Sequence, residues 1–581
     1  MPSPSPAQRA APPRSWRTRL SALLRKTFGL RRLREGQEAV IASVMAGTPT
    51  LALMPTGGGK SLCYQLPALL LPGTTVVVSP LIALMKDQCD KLRELGVAAW
   101  QLNSALPAAE IEAAEQAIAT GEAKIVFTTP ERLAEPEFLE RLAAATVSLL
   151  VIDEAHCISQ WGHDFRPAFL EIGPALARLD RPRLLALTAT ATEAVSEDIA
   201  RQLGIGRFTV INTGMYRPNL HYSVTQVTRE SEKLERAVEL VARAEGAGLV
   251  YAATVKAAED VHAALSAAGV GSALYHGKLG AARRHEAQDA FMDGRVRVMV
   301  ATNAFGLGID KPDTRFVLHY QMPGGLDAYY QESGRAGRDG EVARCMLLFM
   351  HADKAVQQFF MAGKYPSRED LASLYVALLR ERGDGEPWTL ERLQEALDRP
   401  KAKLQVALRL LRHQHVVRQD KDRKLHLTRA GLDDKGLEKL LTGYRAKRES
   451  DRAMLERMVF YGQTGRCRWK VLLEPFGEAE GFELCGHCDN CLRMASTAEA
   501  APASEAATVD EPARPEPPPR APFTAGDAVR VARYGRGIVE SVDGEGVTVR
   551  FGEGRARTFL ADYVRPVPVQ ARRRVAGPQV A

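Results

Sequence analysis

Short, largely apolar runs recur through the first 350 positions of the chain and alternate with longer stretches of mixed polarity. Such runs predict buried parallel strands, and the mixed stretches between them predict the helices that connect those strands. The strands are predicted in two groups, at 50–54, 76–78, 125–127, 149–152 and 184–187, and then at 249–251, 296–300, 316–318 and 346–349. The pattern predicts an α/β fold with two doubly wound parallel-sheet lobes.

The periodicity changes after the second group of strands. Helices are predicted at 368–382, 390–397 and 402–413, and in the last one Leu404, Ala407, Leu408 and Leu411 share one face. Two short strands at 416–418 and 425–427 flank a turn, which is a hairpin pattern. Helices followed by a hairpin predict a winged-helix segment that docks on DNA, and a plain helical spacer is the alternative.

The last 84 residues begin with a stretch rich in Ala, Pro and Glu at 498–522. This composition buries too little apolar surface to fold, so we expect an extended linker. Four short strands follow at 528–532, 537–542, 546–551 and 557–560, with glycine-containing turns between them. They predict a small C-terminal β-barrel.

A glycine-rich turn follows the first predicted strand. Its backbone can point N–H groups at phosphate oxygens, Lys60 can reach the β- and γ-phosphates, and the Ser61 hydroxyl can ligate Mg²⁺. Met54 stands where the strict phosphate-loop pattern has glycine, and a turn without a ligand is the alternative. The predicted nucleotide-binding residues of this turn are Thr56, Gly57, Gly58, Gly59, Lys60 and Ser61.

Two further segments carry charges suited to phosphoryl transfer. Asp153 and Glu154 directly follow a predicted strand, where Asp153 can hold Mg²⁺ and Glu154 can act as general base for the attacking water. Arg335 and Arg338, in a glycine-rich segment, can stabilise the charge that develops on the γ-phosphate. A solvated strand end and a solvated helix face are the respective alternatives.

These segments belong to a wider similarity: the chain resembles RecQ-type DNA helicases of superfamily two, from about residue 28 to 349 and again at 467–491. Arg34 and Gln37 look like the family's adenine-recognising motif, because an amide suits an adenine edge. Residues 79–88 resemble the first DNA-tracking segment, and residues 188–190 resemble the motif that couples hydrolysis to DNA grip.

Motifs of the second lobe and an aromatic loop extend the resemblance. Residues 275–277 and 301–312 look like second-lobe motifs, which implies nucleotide contacts from Gly308 and Asp310. Residues 160–167 resemble the aromatic-rich loop that, in the family, reports bound single strand to the ATP site. Aromatic faces there suit base stacking, and a core tryptophan is the alternative for Trp161. The expected DNA contacts are Trp161, His163, Phe165 and Arg166.

The resemblance implies an ATP- and Mg²⁺-dependent 3′→5′ DNA helicase with two RecA-like lobes. It would act on single-stranded DNA and on forked or tailed duplexes in DNA repair and recombination. A duplex-tracking translocase and a non-enzymatic DNA-binding protein are the alternatives. The aromatic loop argues against the first of these, and the set Lys60, Asp153, Glu154, Arg335 and Arg338 argues against the second.

Four of the eight cysteines lie close together, at Cys467, Cys485, Cys488 and Cys491. Their spacing predicts a tetrahedral thiolate metal site. Disulfides and an iron–sulfur cluster use the same residues and are the alternatives. The resemblance implies structural zinc (Zn²⁺).

The net charge of +7 is concentrated at the start of the chain, where residues 1–34 hold nine basic residues and no acidic one. The remainder therefore nets about −2 (7 − 9), so a DNA channel must be a local patch. We expect a basic arm at this end, with an organelle transit peptide as the alternative. No apolar run is long enough for a membrane span, and we expect a cytoplasmic, nucleoid-associated bacterial protein.

The C-terminal strands resemble the Tudor-like module of UvrD/PcrA helicases, which in that family contacts RNA polymerase. A protein partner such as RNA polymerase is therefore expected, and nucleic-acid binding through Arg530, Arg533, Arg536 and the run Arg572, Arg573 and Arg574 is the alternative. The expected domains are a basic arm (1–15), lobe 1 (16–213), lobe 2 (214–349), a winged-helix segment (350–430), a helical zinc module (431–495), a linker (496–522), a β-barrel (523–567) and a tail (568–581).

Overall fold

The computed structural model describes residues 16–159, 166–305, 311–364, 367–380, 387–399, 401–413, 416–420, 424–428, 434–500, 523–531, 535–543, 546–552, 556–560 and 564–567. The chain forms two compact units, Met1–Ala501 and Pro502–Ala581. Some residues with predicted roles lie outside the described ranges, namely Trp161, His163, Phe165, Gly308, Asp310, Arg533, Arg572, Arg573 and Arg574.

A seven-stranded parallel sheet forms lobe 1. Its strands are β1 (Thr50–Leu53), β2 (Thr74–Val78), β3 (Ala99–Leu102), β4 (Ile125–Thr128), β5 (Val147–Ile152), β6 (Arg183–Thr188) and β7 (Thr209–Asn212). Its helices are α1 (Trp16–Lys26), α2 (Gln37–Ala46), α3 (Leu62–Leu70), α4 (Ile82–Glu94), α5 (Ala108–Ala119), α6 (Pro130–Leu133), α7 (Pro136–Ala144), α8 (Ile172–Arg178) and α9 (Glu193–Gln202). The strands lie in the order β3-β4-β2-β5-β6-β1-β7, and the helices bury both faces of the sheet.

Lobe 2 repeats this architecture with six parallel strands. They are β8 (Leu220–Gln226), β9 (Ala247–Tyr251), β10 (Ser272–Tyr275), β11 (Val298–Ala301), β12 (Thr314–His319) and β13 (Ala343–Phe349). The helices are α10 (Glu230–Arg243), α11 (Val255–Ala267), α12 (Ala281–Met292) and α13 (Leu326–Ser333). The strand order is β10-β11-β9-β12-β13-β8. The two predicted parallel-sheet lobes are therefore confirmed, although β3, β7, β8 and β10 are not among the predicted strands.

Helices and one hairpin follow lobe 2. The helices are α14 (Asp353–Lys364), α15 (Arg368–Leu379), α16 (Leu390–Leu397) and α17 (Lys401–His413), and the antiparallel pair is β14 (Val417–Gln419) and β15 (Leu425–Leu427). The predicted apolar face of α17 is buried in one core with α15 and α16. These elements agree with the predicted order of helices and hairpin, and the winged-helix assignment stays a prediction.

The cysteine-containing region is helical and packs against lobe 2. It contains α18 (Asp434–Gln463), α19 (Arg468–Leu473) and α20 (Asp489–Ala500), so α20 extends into the stretch predicted as linker. Buried Trp469 donates its indole N–H to the carbonyl oxygen of Leu220 on β8, at 3.0 Å. Asp489 accepts a hydrogen bond from the N–H of Val224 at 2.9 Å. These contacts cover the edge of the lobe 2 sheet, and the two regions share one hydrophobic core.

The second unit is an antiparallel sheet. Its strands are β16 (Ala528–Val531), β17 (Gly535–Asp543), β18 (Gly546–Phe551), β19 (Ala556–Leu560) and β20 (Val564–Pro566), in the order β19-β18-β17-β16-β20. Buried valines from four of these strands form its core. The predicted strands are confirmed, β20 is additional, and the barrel stays a prediction. None of the helices in the described part of the chain has both the length and the apolar character needed to cross a bilayer.

Candidate functional site

A cavity of about 460 Å³ lies between lobe 1 and lobe 2. Most of the charged residues predicted to act on nucleotide line it, from both lobes. Lobe 1 contributes Arg34, Gln37, Thr56, Gly57, Gly59, Lys60, Ser61, Asp153 and Glu154, and lobe 2 contributes Gln331, Arg335 and Arg338. Gly58 belongs to the same turn without lining the cavity. Arg34 and Arg338, which are 304 (338 − 34) positions apart in the sequence, therefore face one space.

The glycine turn requires glycine at two positions for conformation and for space. Gly57 and Gly59 have φ values of 81° and 79°, in the left-handed region that disfavours side chains. A Cβ on Gly57 would lie 3.0 Å from Cγ of Arg338, and one on Gly59 would lie 2.4 Å from Nε2 of Gln37. The turn is therefore in close contact with lobe 2 on one side and with α2 on the other.

Gln37 connects the predicted adenine motif to this turn. Its buried amide donates from Nε2 to the carbonyl oxygen of Gly59 at 2.9 Å, and its Oε1 accepts from the N–H of Arg34 at 2.7 Å. The guanidinium of Arg34 donates to the carbonyl oxygen of Gly57. Each polar atom of the Gln37 amide makes one of these bonds, which leaves a second N–H and a second lone pair for an adenine edge. Leu30 and Arg32, which have no predicted role, also line the cavity.

The carboxylate pair lies at the end of β5 in an unusual conformation. Burial and the adjacent Glu154 carboxylate raise the pKa of Asp153 to about 7, and Lys60 acts in the opposite direction. Glu154 has φ 51° and ψ 49°, a left-handed conformation that is strained for a residue with a side chain. Two half-buried carboxylates beside a lysine place several oxygen ligands around one position, and such a site fits Mg²⁺.

His156 connects the carboxylates to the next motif, a role that the sequence analysis does not assign. Its Nδ1 lies 2.9 Å from Oγ1 of Thr188 and 3.4 Å from Oε2 of Glu154. The Thr188 hydroxyl donates to the carbonyl oxygen of Thr190 at 3.1 Å. All of these residues except Glu154 are buried. A change at the carboxylate end can therefore reach residues 188–190 through direct contacts.

Arg217, in the segment between β7 and β8, is a further residue without a predicted role. Its guanidinium donates to the carbonyl oxygen of Thr56 in lobe 1 at 3.2 Å. It also donates to three carbonyl oxygens of the arginine segment, those of Gly334 at 2.7 Å, Ala336 at 2.9 Å and Gly337 at 2.6 Å. Arg217 thus fixes the turn that separates Arg335 from Arg338 and links it to the glycine turn.

Arg335 itself is only 5% exposed. Its Nε atom is buried and has no hydrogen-bond partner among the residues that the structure describes. A buried guanidinium N–H that lacks an acceptor is costly, and a phosphate oxygen in the cavity would supply one.

A second and larger cleft, of about 890 Å³, adjoins the first. Its lobe 1 wall includes Pro80, Leu81 and Thr190, and its lobe 2 wall includes Gln331 and Arg335, which line both spaces. Arg166, the one predicted DNA contact within the described residues, lines this cleft and donates to the carbonyl oxygen of Pro80 at 3.3 Å. The aromatic loop therefore ends at the rim of a cleft that shares residues with the nucleotide cavity.

The four predicted metal ligands converge. The sulfur atoms of Cys467, Cys485, Cys488 and Cys491 all lie within 4.8 Å of one another. Those of Cys485 and Cys491 are 3.8 Å apart. Tetrahedral Zn–S bonds of about 2.3 Å require sulfur atoms about 3.8 Å apart, whereas a multi-iron cluster needs more space between its ligands. The geometry fits a single zinc ion.

Neighbouring polar groups hold the cysteine cluster in place. Hydrogen bonds from Cys485 and Cys488 hold the pKa of Cys467 below its ordinary value. Next to the cluster, buried Arg468 forms a two-point ion pair with Asp489, at 2.9 and 3.0 Å. The ring of His487 stacks on His221, with centroids 4.5 Å apart, and His487 is not part of the converging group.

Three families match successive parts of the chain. DEAD/DEAH box helicases match at residues 34–199, the helicase conserved C-terminal domain at 232–340, and the RecQ zinc-binding domain at 418–492. A helicase domain of this kind implies ATP and Mg²⁺ as cofactors. The zinc-binding match, together with the cysteine cluster, supports Zn²⁺ over an iron–sulfur cluster.

Curated relatives extend these matches. The chain is 45% identical over 345 residues to ATP-dependent DNA helicase RecQ of Bacillus subtilis, which covers 59% of this chain and 58% of that protein. It is 34% identical over 479 residues to the probable ATP-dependent DNA helicase RecS of B. subtilis, covering 81% of this chain and 92% of that protein. The chain thus spans a little over half the length of that RecQ relative but nearly all of RecS.

A solved structure of the DEAD-box helicase Mss116, bound to ssRNA and UDP-BeF, aligns with a TM-score of 0.50 at 18% identity. The alignment covers 78% of this chain and 92% of that one, which shows a shared two-lobe fold and nothing further. The family is instead shown by the match to RecS, which covers 92% of that protein at 34% identity, and by the RecQ zinc-binding domain. The chain belongs to the RecQ family of ATP-dependent DNA helicases.

Proposed function

We propose that this protein hydrolyses ATP to move 3′→5′ along single-stranded DNA and to unwind duplexes during DNA repair and recombination. The observation that carries the proposal is the cavity between the lobes. There, Lys60 and the two carboxylates of lobe 1 face Arg335 and Arg338 of lobe 2. Because the charged groups come from both lobes, a nucleotide in this cavity would couple its own chemistry to the relative position of the lobes.

Each residue of the cavity has a proposed role. Lys60 would contact the β- and γ-phosphates, and Ser61 and Asp153 would hold Mg²⁺, which supplies charge neutralisation at the phosphates when bound. Glu154 would accept a proton from the attacking water. Arg335 and Arg338 would stabilise the developing γ-phosphate charge, a contribution that in related systems is worth about 10³–10⁵ in rate.

The contacts around His156 support a route from the nucleotide to DNA. They join Glu154 to residues 188–190, and Thr190 lines the 890 Å³ cleft together with Arg166. We propose that single-stranded DNA occupies this cleft. Base stacking by Trp161 and Phe165 and a polar contact by His163 stay predictions of the sequence analysis.

The remaining regions would serve as accessory modules. We propose a winged helix at 350–430, supported by helices α15–α17 and the hairpin that follows them. The second unit would be a Tudor-like barrel at 523–567 that binds a protein partner such as RNA polymerase. The boundaries proposed for the lobes are 16–213 and 214–349, and the zinc module would occupy 431–495. The basic arm at 1–15 and the tail at 568–581 stay predictions, and the linker predicted at 496–522 would begin only after Ala500, where α20 ends.

An ATPase assay with and without single-stranded DNA, combined with unwinding of 3′- and 5′-tailed duplexes, tests this function. Single-strand-stimulated hydrolysis and unwinding of only the 3′-tailed substrate are expected. Stimulation by duplex DNA alone would indicate a duplex translocase, and unwinding from a 5′ tail would refute the polarity. A protein that binds DNA but never hydrolyses ATP would refute the enzymatic assignment.

A further inference from the structure

Two neighbouring phenylalanines are exposed on helix α14. Phe359 is 75% exposed and Phe360 is 44% exposed, with ring centroids 6.2 Å apart and ring planes at 57°. A single exposed apolar side chain is ordinary, but two adjacent phenylalanine rings form a patch that usually marks a binding surface. Neither ring has been given a role in the preceding sections.

Contacts with lobe 2 fix the position of α14. At the first turn of the helix, Asp353 receives both of its ion-pair contacts from fully buried Lys233, at 2.7 and 2.8 Å. One turn later, Gln357 donates to the carbonyl oxygen of Met322 at 2.7 Å. The helix is therefore attached to lobe 2 by buried groups just before the two aromatic residues, so these rings must move with that lobe.

The location of the pair indicates what it binds. Phe360 lines the 890 Å³ cleft, which residues 80–82 and Arg166 of lobe 1 line as well. Phe359 does not line the cleft itself and is joined to it through the contact between its ring and that of Phe360. The charged lining residues carry both signs, and Lys447 is paired with Asp451 at 2.7 Å. A surface that bound only phosphates would be uniformly basic. Exposed aromatic faces beside mixed polar groups fit nucleobases instead, which have an apolar face and polar edges.

We propose that Phe359 and Phe360 form a base-stacking site for unpaired bases of the DNA strand held in this cleft. The inference rests on the proposed function, because it requires a single strand between the lobes. It adds a DNA contact that travels with lobe 2, whereas Arg166 and the predicted aromatic loop belong to lobe 1. Contacts on both lobes would let the strand be gripped alternately as the lobes move.

The test replaces each phenylalanine in the full chain with Ala, Leu or Trp. Leucine keeps much of the apolar bulk without a ring, and tryptophan keeps a stacking face. We expect each Ala or Leu variant to bind a labelled single-stranded oligonucleotide about 5- to 150-fold more weakly at fixed salt, and the Trp variants to bind as tightly as the wild type. Quenching of a 2-aminopurine base in the oligonucleotide should likewise disappear with Leu and persist with Trp.

Phe460→Ala is the matched control, because Phe460 on α18 is 45% exposed and, among the described residues, neither lines the cleft nor has a ring contact with Phe360. Its affinity and DNA-stimulated hydrolysis should match the wild type, and thermal unfolding would verify that every variant folds. Leu variants with wild-type affinity and quenching, or an equal loss in Phe460→Ala, would overturn the stacking site. If the wild-type protein did not bind single-stranded DNA, the proposed function would be overturned as well. If single strands stimulated hydrolysis by the wild type and both Leu variants behaved like it, only this inference would be overturned.

Discussion

Replacing Arg217 with Gln tests the most informative contact in the structure. The guanidinium of Arg217 donates to four backbone carbonyl oxygens, one in lobe 1 and three in the segment between Gly334 and Gly337 of lobe 2. Glutamine keeps a polar side chain of reduced length, with one amide nitrogen in place of the guanidinium fork. The variant therefore removes most of these bonds while adding no new charge.

The bond lengths indicate whether the substitution should act mainly within lobe 2 or on the contact between the lobes. The bond to Thr56 of lobe 1 is the longest, at 3.2 Å, whereas the three bonds within lobe 2 measure 2.6–2.9 Å. Bonds from a charged donor contribute about 1.5–3 kcal/mol each, and water replaces part of this loss at a half-buried site. Gly337 also keeps a bond from Asn219, at 2.8 Å. We therefore expect the arginine turn to lose about 2–4 kcal/mol of preference for its present conformation.

The expected result is a fall in kcat for ATP hydrolysis of about 30- to 1,000-fold, because Arg335 and Arg338 would be positioned correctly only a small part of the time. The KM for ATP should change less, since only the Thr56 bond reaches the glycine turn. Steady-state kinetics with saturating single-stranded DNA, alongside a fluorescent nucleotide titration, separate the two effects. Exposed Arg229→Gln is the control. If folded Arg217→Gln retained kcat within twofold of wild type, the positioning role would be refuted.

Other perturbations should give equally definite results. Lys60→Ala should abolish ATP hydrolysis. Glu154→Gln should still bind nucleotide in a filter or fluorescence assay but should fail to hydrolyse it. If either variant unwound DNA at the normal rate, the role assigned to that residue would be contradicted. Cys488→Ser should lower the zinc content measured by mass spectrometry and also lower the melting temperature, and unchanged zinc would argue against the cluster. Lys233→Met, which leaves Asp353 buried without its cation, should destabilise the protein by about 3–5 kcal/mol in urea unfolding. The double variant with Asp353→Leu should recover much of that loss, and no recovery would argue against the ion pair as the cause.

The strands that the sequence does not predict have one position in common. β3, β7, β8 and β10 are the four edge strands of the two sheets. An inner strand of a parallel sheet is buried on both faces and shows as a continuous apolar run. An edge strand meets fewer neighbours and tolerates polar residues, as in β7, where no residue is fully buried. Apolar runs therefore identify the sheet interiors and leave out their margins.

The same distinction applies to the candidate site. Lys60, Asp153 and Arg335 stand in short segments whose spacing is set by local backbone geometry, so their chemistry is visible in the sequence. Arg217 gains its role only from carbonyl groups that the fold brings to it from residues 56 and 334–337, and no local spacing marks it. The strained backbone of Glu154 is likewise a property of the folded chain.

The core that lobe 2 shares with the cysteine-containing helices has a practical consequence. Tyr222 and Tyr329 of the lobe pack with Trp469 and Tyr461, which follow more than 100 positions later. A shortened protein that stops after β13 would uncover this aromatic cluster along a bare sheet edge, and such surfaces promote aggregation. Shortened versions of the protein should therefore end after α20, because an earlier stop removes side chains that complete the hydrophobic core of lobe 2.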